Sequence, residues 1–218
     1  MTEPTHYIHH TVACAPRTFA AVADRLSDAA WSDAGGQLYG AWRAQIGRPR
    51  DELNVMTVWS DDMDVSSAAQ SAEAIIAACP DTGSVASESM RPTLRPTGAA
   101  PPRRQGNYAF RWFELPTPHW DEFESLCGAA WPGFESAYDS QVIGLWRLLQ
   151  ADVGRTRALL LTRRPDLAMW ERSKIPANEQ EQEVRRKLSR RYDLCDATWV
   201  YTTTLLNADD QQDNVRWA

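Results

Sequence analysis

The chain has 218 residues, 43% hydrophobic and 24% charged, with a formal net charge of −6 at pH 7. That length supports a sizeable buried core, and the acidic balance excludes a general attraction to nucleic acid or to an anionic membrane surface. No apolar run approaches the roughly 18 residues a membrane helix needs, the start MTEPTHYIHH lacks a secretory pattern, and the expected location is cytoplasmic.

In chain order, Tyr7 to Val12 reads as a strand, and Pro16 opens a helix whose apolar face is Phe19, Val22, Ala23, Leu26, Ala29 and Ala30. Leu38 to Ile46 and Leu53 to Trp59 read as two strands around the turn Gly47-Arg48-Pro49-Arg50. A small-residue helix, Val65 to Cys79, and a strand near Val85 to Leu94 complete the first set. Pro96 to Gly106 is a Pro- and Gly-rich linker. The order then returns. Tyr108 to Leu115 is a strand, Thr117-Pro118 caps a helix carrying Trp120, Phe123, Leu126, Cys127 and Ala130, and Pro132-Gly133 is expected to end it. Two strands flank Gly154, a helical region runs from Asp166 to Tyr192 with a break at Ile175-Pro176, and Ala197 to Leu206 is a last strand. Ala208 to Ala218 is polar apart from Val215 and Trp217, and is expected to be loosely held.

The return is visible in the residues themselves. Ala29-Ala30-Trp31 with Gly40-Ala41-Trp42-Arg43 recurs roughly 100 residues later as Ala129-Ala130-Trp131 with Gly144-Leu145-Trp146-Arg147. Tyr7 to Val12 then lies over Tyr108 to Phe113, and Thr57 and Asp61 lie over Thr162 and Asp166. The chain is therefore expected to hold two βαββαβ repeats, residues 1–97 and 107–207, with a linker at 98–106 and a tail at 208–218. Each repeat would form an antiparallel sheet with helices on one face, and the free faces would pack against each other as a barrel within one chain.

In tandem and over nearly its whole length, the sequence resembles the NIPSNAP-type members of the dimeric α+β barrel superfamily. The resemblance rests on Tyr108 to Leu115 as opening strand, Pro118 to Phe123 as helix entry, Gly144-x-Trp146 as second strand, and Thr162 through Asp166-Leu167 to Arg172. In the first copy Leu53 to Asp61 is the closer match, and Arg95-Pro96-Thr97 looks like a unit ending. Two departures are His10 in place of the opening-strand Arg and Arg164 in place of the third-strand Trp. The resemblance implies an α+β fold of ferredoxin-like repeats. Relatives of the barrel include cofactor-independent oxygenases, isomerases, polyketide cyclases, haem-binding proteins and members without known activity.

Strand alternation proposes the site. His10 and Arg111 are placed inside the barrel as catalytic groups, because an Arg under a helix layer would lack water and a partner. His10 would serve as acid or base. Thr57 and Trp59, Thr162 and Arg164, and Trp112 and Phe113 are candidates for a mixed lining. Trp42 and Trp146 are read either as pocket walls or as core, and Arg43 and Arg147 either as anion holders or as surface ion pairs. Positions where the copies disagree, His10 against Arg111, Trp59 against Arg164 and Thr11 against Trp112, suit a single asymmetric site. His6, His9 and His10 do not make a metal site by spacing, and Cys14, Cys79, Cys127 and Cys195 lack a CxxC pair. His119, at a helix start, is read as a surface residue rather than a haem ligand. The run Arg185 to Arg191 reads as a solvated helix paired with Glu181 and Glu183.

The expected function is enzymatic, on a small hydrophobic or aromatic ligand between the sheets. No tightly bound cofactor is expected, although the resemblance leaves haem open. No nucleic-acid or membrane partner is expected, and a homodimer is left open. The alternatives are non-catalytic binding of haem or another apolar ligand, and a structural or interaction protein with a filled barrel.

Overall fold

The computed structural model describes residues 5–210. Val215 and Trp217, with most of the predicted tail, lie outside the described residues.

The first half comprises β1 (Thr5–Cys14), α1 (Phe19–Ser27), a 3-10 turn (Trp31–Ala34), β2 (Gly36–Ile46), β3 (Glu52–Ser60), α2 (Val65–Ala77) and β4 (Thr82–Pro92). The second comprises β5 (Asn107–Pro116), a 3-10 turn (Thr117–His119), α3 (Trp120–Tyr138), β6 (Gln141–Leu148), β7 (Arg155–Arg164), α4 (Leu167–Arg172), α5 (Glu179–Asp193) and β8 (Ala197–Leu205). The predicted end of α3 is corrected, since the helix runs through Pro132 and Gly133 to Tyr138. Proline costs an internal hydrogen bond there, but the continuation buries Phe134 and Tyr138. Gly133 is where α5 crosses, and a Cβ there would stand 2.7 Å from Cγ2 of Val184. In the first half the equivalent Ala29-Ala30 falls beyond α1, yet Trp31 and Trp131 are both buried beneath their helix layers.

All eight strands are antiparallel and close into one barrel, ordered β1-β3-β2-β8-β5-β7-β6-β4. Within the halves the orders are β4-β1-β3-β2 and β8-β5-β7-β6, and the registers agree. Ile8 pairs with Thr57 and His6 with Trp59, as Ala109 pairs with Thr162 and Asn107 with Arg164. Two seams join the halves, β2 to β8 (Trp42 opposite Leu205) and β4 to β6 (Met90 opposite Leu148).

The sheet wall separates three apolar layers. α1 and α2 cover one outer face through Ile8, Val12, Val22, Leu26 and Ile76, while α3 and α5 cover the other through Phe113, Phe123, Leu160 and Val184. The barrel interior is aromatic, with Tyr7, Tyr39, Trp42, Tyr108, Phe110, Trp112, Trp146 and Tyr201 in one cluster. Gly-x-Trp builds this interior. Both glycines follow an irregularity in pairing, between Leu38 and Gly40 and between Val142 and Gly144. A Cβ at either glycine would stand 2.4 Å from Cη2 of its own Trp42 or Trp146. The indole folds back over the glycine two residues before it, so the repeated motif is a device for seating a core tryptophan at a bulge.

Candidate functional site

The facing of the opening strands corrects the expected site. Tyr7 of β1 and Tyr108, Phe110 and Trp112 of β5 look into the barrel, whereas Ile8, Val12 and Phe113 belong to the helix-covered layers. By alternation His10 and Arg111 point outward, under the helices, and the interior histidine is His9. His9 Nε2 is 3.0 Å from Oδ1 of Asn54, which also accepts the Tyr201 hydroxyl at 2.7 Å. The Trp112 indole donates to Tyr201 at 3.4 Å. Burial pulls the His9 pKa below its ordinary value, so it is a neutral ring in a closed polar chain.

The remaining candidates divide between layers. Trp42, Trp112 and Trp146 line the barrel interior as packed rings, with Trp42 edge-on to Phe110 at 5.4 Å and Trp146 edge-on to Tyr7 at 5.4 Å. Arg43 lies 4.2 Å over the Phe19 ring under α1. Arg147 lies 5.2 Å over Trp120 and donates to Thr156 Oγ1 at 3.1 Å. Phe113 packs edge-on to Phe123 at 4.9 Å. None of these six lines the cavity described below.

His10, Thr57 and Trp59 form a closed set on the outer face of the first sheet. His10 Nδ1 is 2.8 Å from Ser87 Oγ, His10 Nε2 is 3.1 Å from Thr57 Oγ1, and the Trp59 indole donates to Thr57 Oγ1 at 2.8 Å. Trp59 lies across Gly36, where a Cβ would stand 2.7 Å from the ring. Burial pushes the His10 pKa down to about 3, which unsuits it to proton transfer at neutral pH.

On the second sheet the equivalent positions are Arg111, Thr162 and Arg164, and they open onto a cavity of about 410 Å³ beneath α3, α4 and α5. Five cations line it (Arg111, Arg164, Lys174, Arg185 and Arg191), with Trp131, Phe134, Trp170 and Tyr192 among its walls and no Asp or Glu. Among the described residues none of the five makes an ion pair; aromatic faces hold four of them, all but Arg185, instead. Arg164 lies 5.0 Å from the Phe134 ring centre and 4.7 Å from that of Trp170. Arg111 lies 5.6 Å from Tyr192, Arg191 4.8 Å from Phe113, and Lys174 5.1 Å from Trp170. A ring face steadies a guanidinium without neutralising it or consuming its N–H groups. Arg164 bonds Thr162 Oγ1 at 3.1 Å, and Arg191 bonds Cys127 Sγ at 3.5 Å and the Tyr192 side chain. The buried Nε atoms of Arg164 and Arg191 and the Trp131 indole nitrogen have no partner among the described residues. Burial, then the charge of Arg111, draws the Arg164 pKa down to about 10, and burial also lowers that of Arg111. Both remain cations at neutral pH.

The expectation that Arg needs the barrel interior fails because the second helix layer does not seal against its sheet. α5 brings Arg185, Arg191 and Tyr192 to the cavity. Its entry is fixed at Glu181, whose carboxylate accepts from Arg172 at 2.7 Å and from the backbone N–H of Ala177 at 2.8 Å, while Asn178 caps the Glu181 N–H at 2.9 Å. Arg172 and Ala177 hold that carboxyl at about 2. The expected pairing of Glu181 with Arg185 is corrected accordingly, although Glu183 does meet Lys187 at 3.8 Å. His119 gives Nδ1 to the Leu194 carbonyl oxygen at 3.2 Å and does not line the cavity. Among the described residues no three His, Cys, Asp or Glu side chains gather as a metal site, and no helix is long and apolar enough to cross a membrane.

No protein-family model and no curated protein matches the chain. Solved structures do. A provisionally assigned monooxygenase from Lactobacillus acidophilus NCFM aligns over 97% of this chain and 100% of its own, with TM-score 0.59 and 9% identity. An anthrone oxidase-like protein aligns over 93% and 91%, with TM-score 0.59 and 11% identity. Chlorite dismutase from Candidatus Nitrospira defluvii, in complex with imidazole, aligns over 94% and 92%, with TM-score 0.58 and 8% identity. The fold is an α+β barrel of eight antiparallel strands, and these solved structures share it. At such identities the likeness carries the fold and no residue's role. Within this barrel the two helix layers differ: His10 and Trp59 are fully enclosed under the first, whereas Arg111 and Arg164 line a cavity under the second.

Proposed function

We propose that this protein is a small-molecule enzyme of oxygenase type, with a hydrophobic or aromatic substrate bound in the cationic pocket rather than between the sheets. One observation carries the reading: five cations and several aromatic rings converge on a cavity of about 410 Å³ that no acidic side chain lines, a scale typical of ligand pockets. The structural neighbours described as monooxygenase and anthrone oxidase-like support it at a coarse level. The NIPSNAP-type resemblance and descent of the halves from one repeated unit belong to the same reading, and rest on the paired motifs and the shared strand register.

The lining offers donors and positive charge, and neither carboxylate nor imidazole. It suits stabilising an oxyanion more than abstracting a proton. With an enolisable substrate of anthrone type, the C–H proton leaves to solvent and the negative charge settles on the ring oxygen facing Arg164 and Arg111. The anion gives its electrons to dioxygen, a C–O bond forms at the former methylene, and loss of water leaves a new carbonyl. One oxygen atom of dioxygen ends in the product and the other in water, so the balance needs no further oxidant. Haem would find cations for its carboxylates here, but the lining supplies no imidazole, thiolate or thioether for iron. The donor set does not fit haem.

Anthrone and an oxygen electrode test the proposal. Expected is protein-dependent oxygen uptake with quinone formation, lost in Arg164→Met. Non-catalytic binding is the second reading, favoured by the base-free lining. Anthrone binding without oxygen uptake selects it and overturns the enzymatic one.

A further inference from the structure

The cations of the pocket stand in two tiers. Arg164 and Arg191 are buried and Arg111 half-buried, whereas Lys174 and Arg185 are exposed. Trp170 links the tiers, with Arg164 at 4.7 Å and Lys174 at 5.1 Å from its ring. A single oxyanion on an otherwise neutral molecule answers the inner tier alone. The outer tier remains, uncompensated by any acidic residue of the lining, in a chain whose net charge is −6.

Resting on the proposed site, we infer that its substrate is an aromatic dianion. One anionic oxygen meets the inner donors Arg164, Arg191 and Arg111, the ring system lies along Trp170, and a carboxylate meets Lys174 and Arg185. The inner donors are N–H edges of guanidinium groups held at their faces by aromatic rings, which favours a flat, oxygen-bearing group in the same plane. The orphaned indole N–H of Trp131 is a further inner donor. Aromatic cations and neutral arenes are disfavoured, the first by charge and the second by leaving desolvated cations unpaired.

Titration with naphthalene-2,6-dicarboxylate, 2-naphthoate and 2-naphthalenemethanol, followed by calorimetry and tryptophan fluorescence, tests the assignment. The dicarboxylate is expected to bind at least about tenfold more tightly than the monocarboxylate, and the monocarboxylate about tenfold more tightly than the alcohol. Lys174→Met, on the exposed rim, abolishes only the dicarboxylate advantage. Arg164→Met weakens both acids and leaves the alcohol unchanged, with circular dichroism checking that the variant is folded. Equal binding of alcohol and acids, or equal binding of the two acids by the native protein, overturns the inference. Because these probes are bound and not oxidised, the outcome is independent of oxygen uptake: dianion binding with inert anthrone refutes the enzymatic reading alone.

Discussion

Arg164 occupies the position in the second half that Trp59 occupies in the first. Each lies opposite the corresponding residue of its opening strand, Asn107 and His6. Trp59 fills the space beneath its helices and donates to Thr57; Arg164 bonds the corresponding Thr162 and leaves a cavity beside it. One substitution of side-chain class thus accompanies the difference between a sealed layer and a pocket.

Removing that charge stabilises the ligand-free protein. Arg164 is buried near Arg111 without a carboxylate, and relief of such desolvation and repulsion is worth about 1 kcal/mol or more. Arg164→Met is expected to raise Tm by about 2–4 °C for a chain of this size, measured by calorimetry in low-salt buffer. A lowered Tm would show that the ring contacts of Arg164 outweigh the charge.

Gly40→Ala and Gly144→Ala each drive a methyl group into the indole folded over it. Overpacking of this kind costs about 1–3 kcal/mol, and near-UV circular dichroism should report the displaced tryptophan. Gly144 is the more sensitive, because Cδ of Pro96 also stands 2.7 Å from the added Cβ.

Acid weakens the fold through the buried histidines. His10 has a folded-state pKa of about 3 against an ordinary 6.5, and that of His9 is lowered as well. Between those limits the unfolded chain binds more protons, so stability is complete above about pH 6.5 and falls as pH drops toward 3. The slope from His10 approaches about 1.4 kcal/mol per pH unit. Denaturant melts between pH 4 and 7 measure it, and His10→Gln should flatten the curve.

Asn178→Ala removes the N-cap of α5, whose side chain accepts from the Glu181 N–H in the first turn. A loss of about 1 kcal/mol is expected, together with faster amide exchange along α5. Because α5 carries Arg185 and Arg191, affinity for aromatic acids should fall with it. Unchanged exchange would mean that Glu181 and Arg172 hold the helix start by themselves.

Much of this architecture was written in the residues. The repeated Gly-x-Trp-Arg, with Thr57 over Thr162, anticipates the shared register of the halves. Facing was harder to read because β1 and β3 are buried on both sides. His9 and His10 are both enclosed, so no polar and apolar alternation distinguishes inside from outside. The pocket was hidden for a different reason: Arg185 to Arg191 has the composition of a solvated helix, and only the packing of α5 buries Arg191 and sets the exposed Arg185 at the cavity rim. Trp131, Trp170, Lys174 and Tyr192 carried no periodic signal toward a common point, because they converge from three separate helices and the turn after α4.

One chain supplies all eight strands of the closed barrel. In a barrel assembled from two identical chains, any change to a helix layer would appear twice, and a pocket opened on one side would weaken both. Here positions 59 and 164 are separate codons. Selection can keep one layer dense enough to carry stability while the other remains loosely filled and charged. The sealed half thereby gives the open half freedom to change its lining without risking the fold.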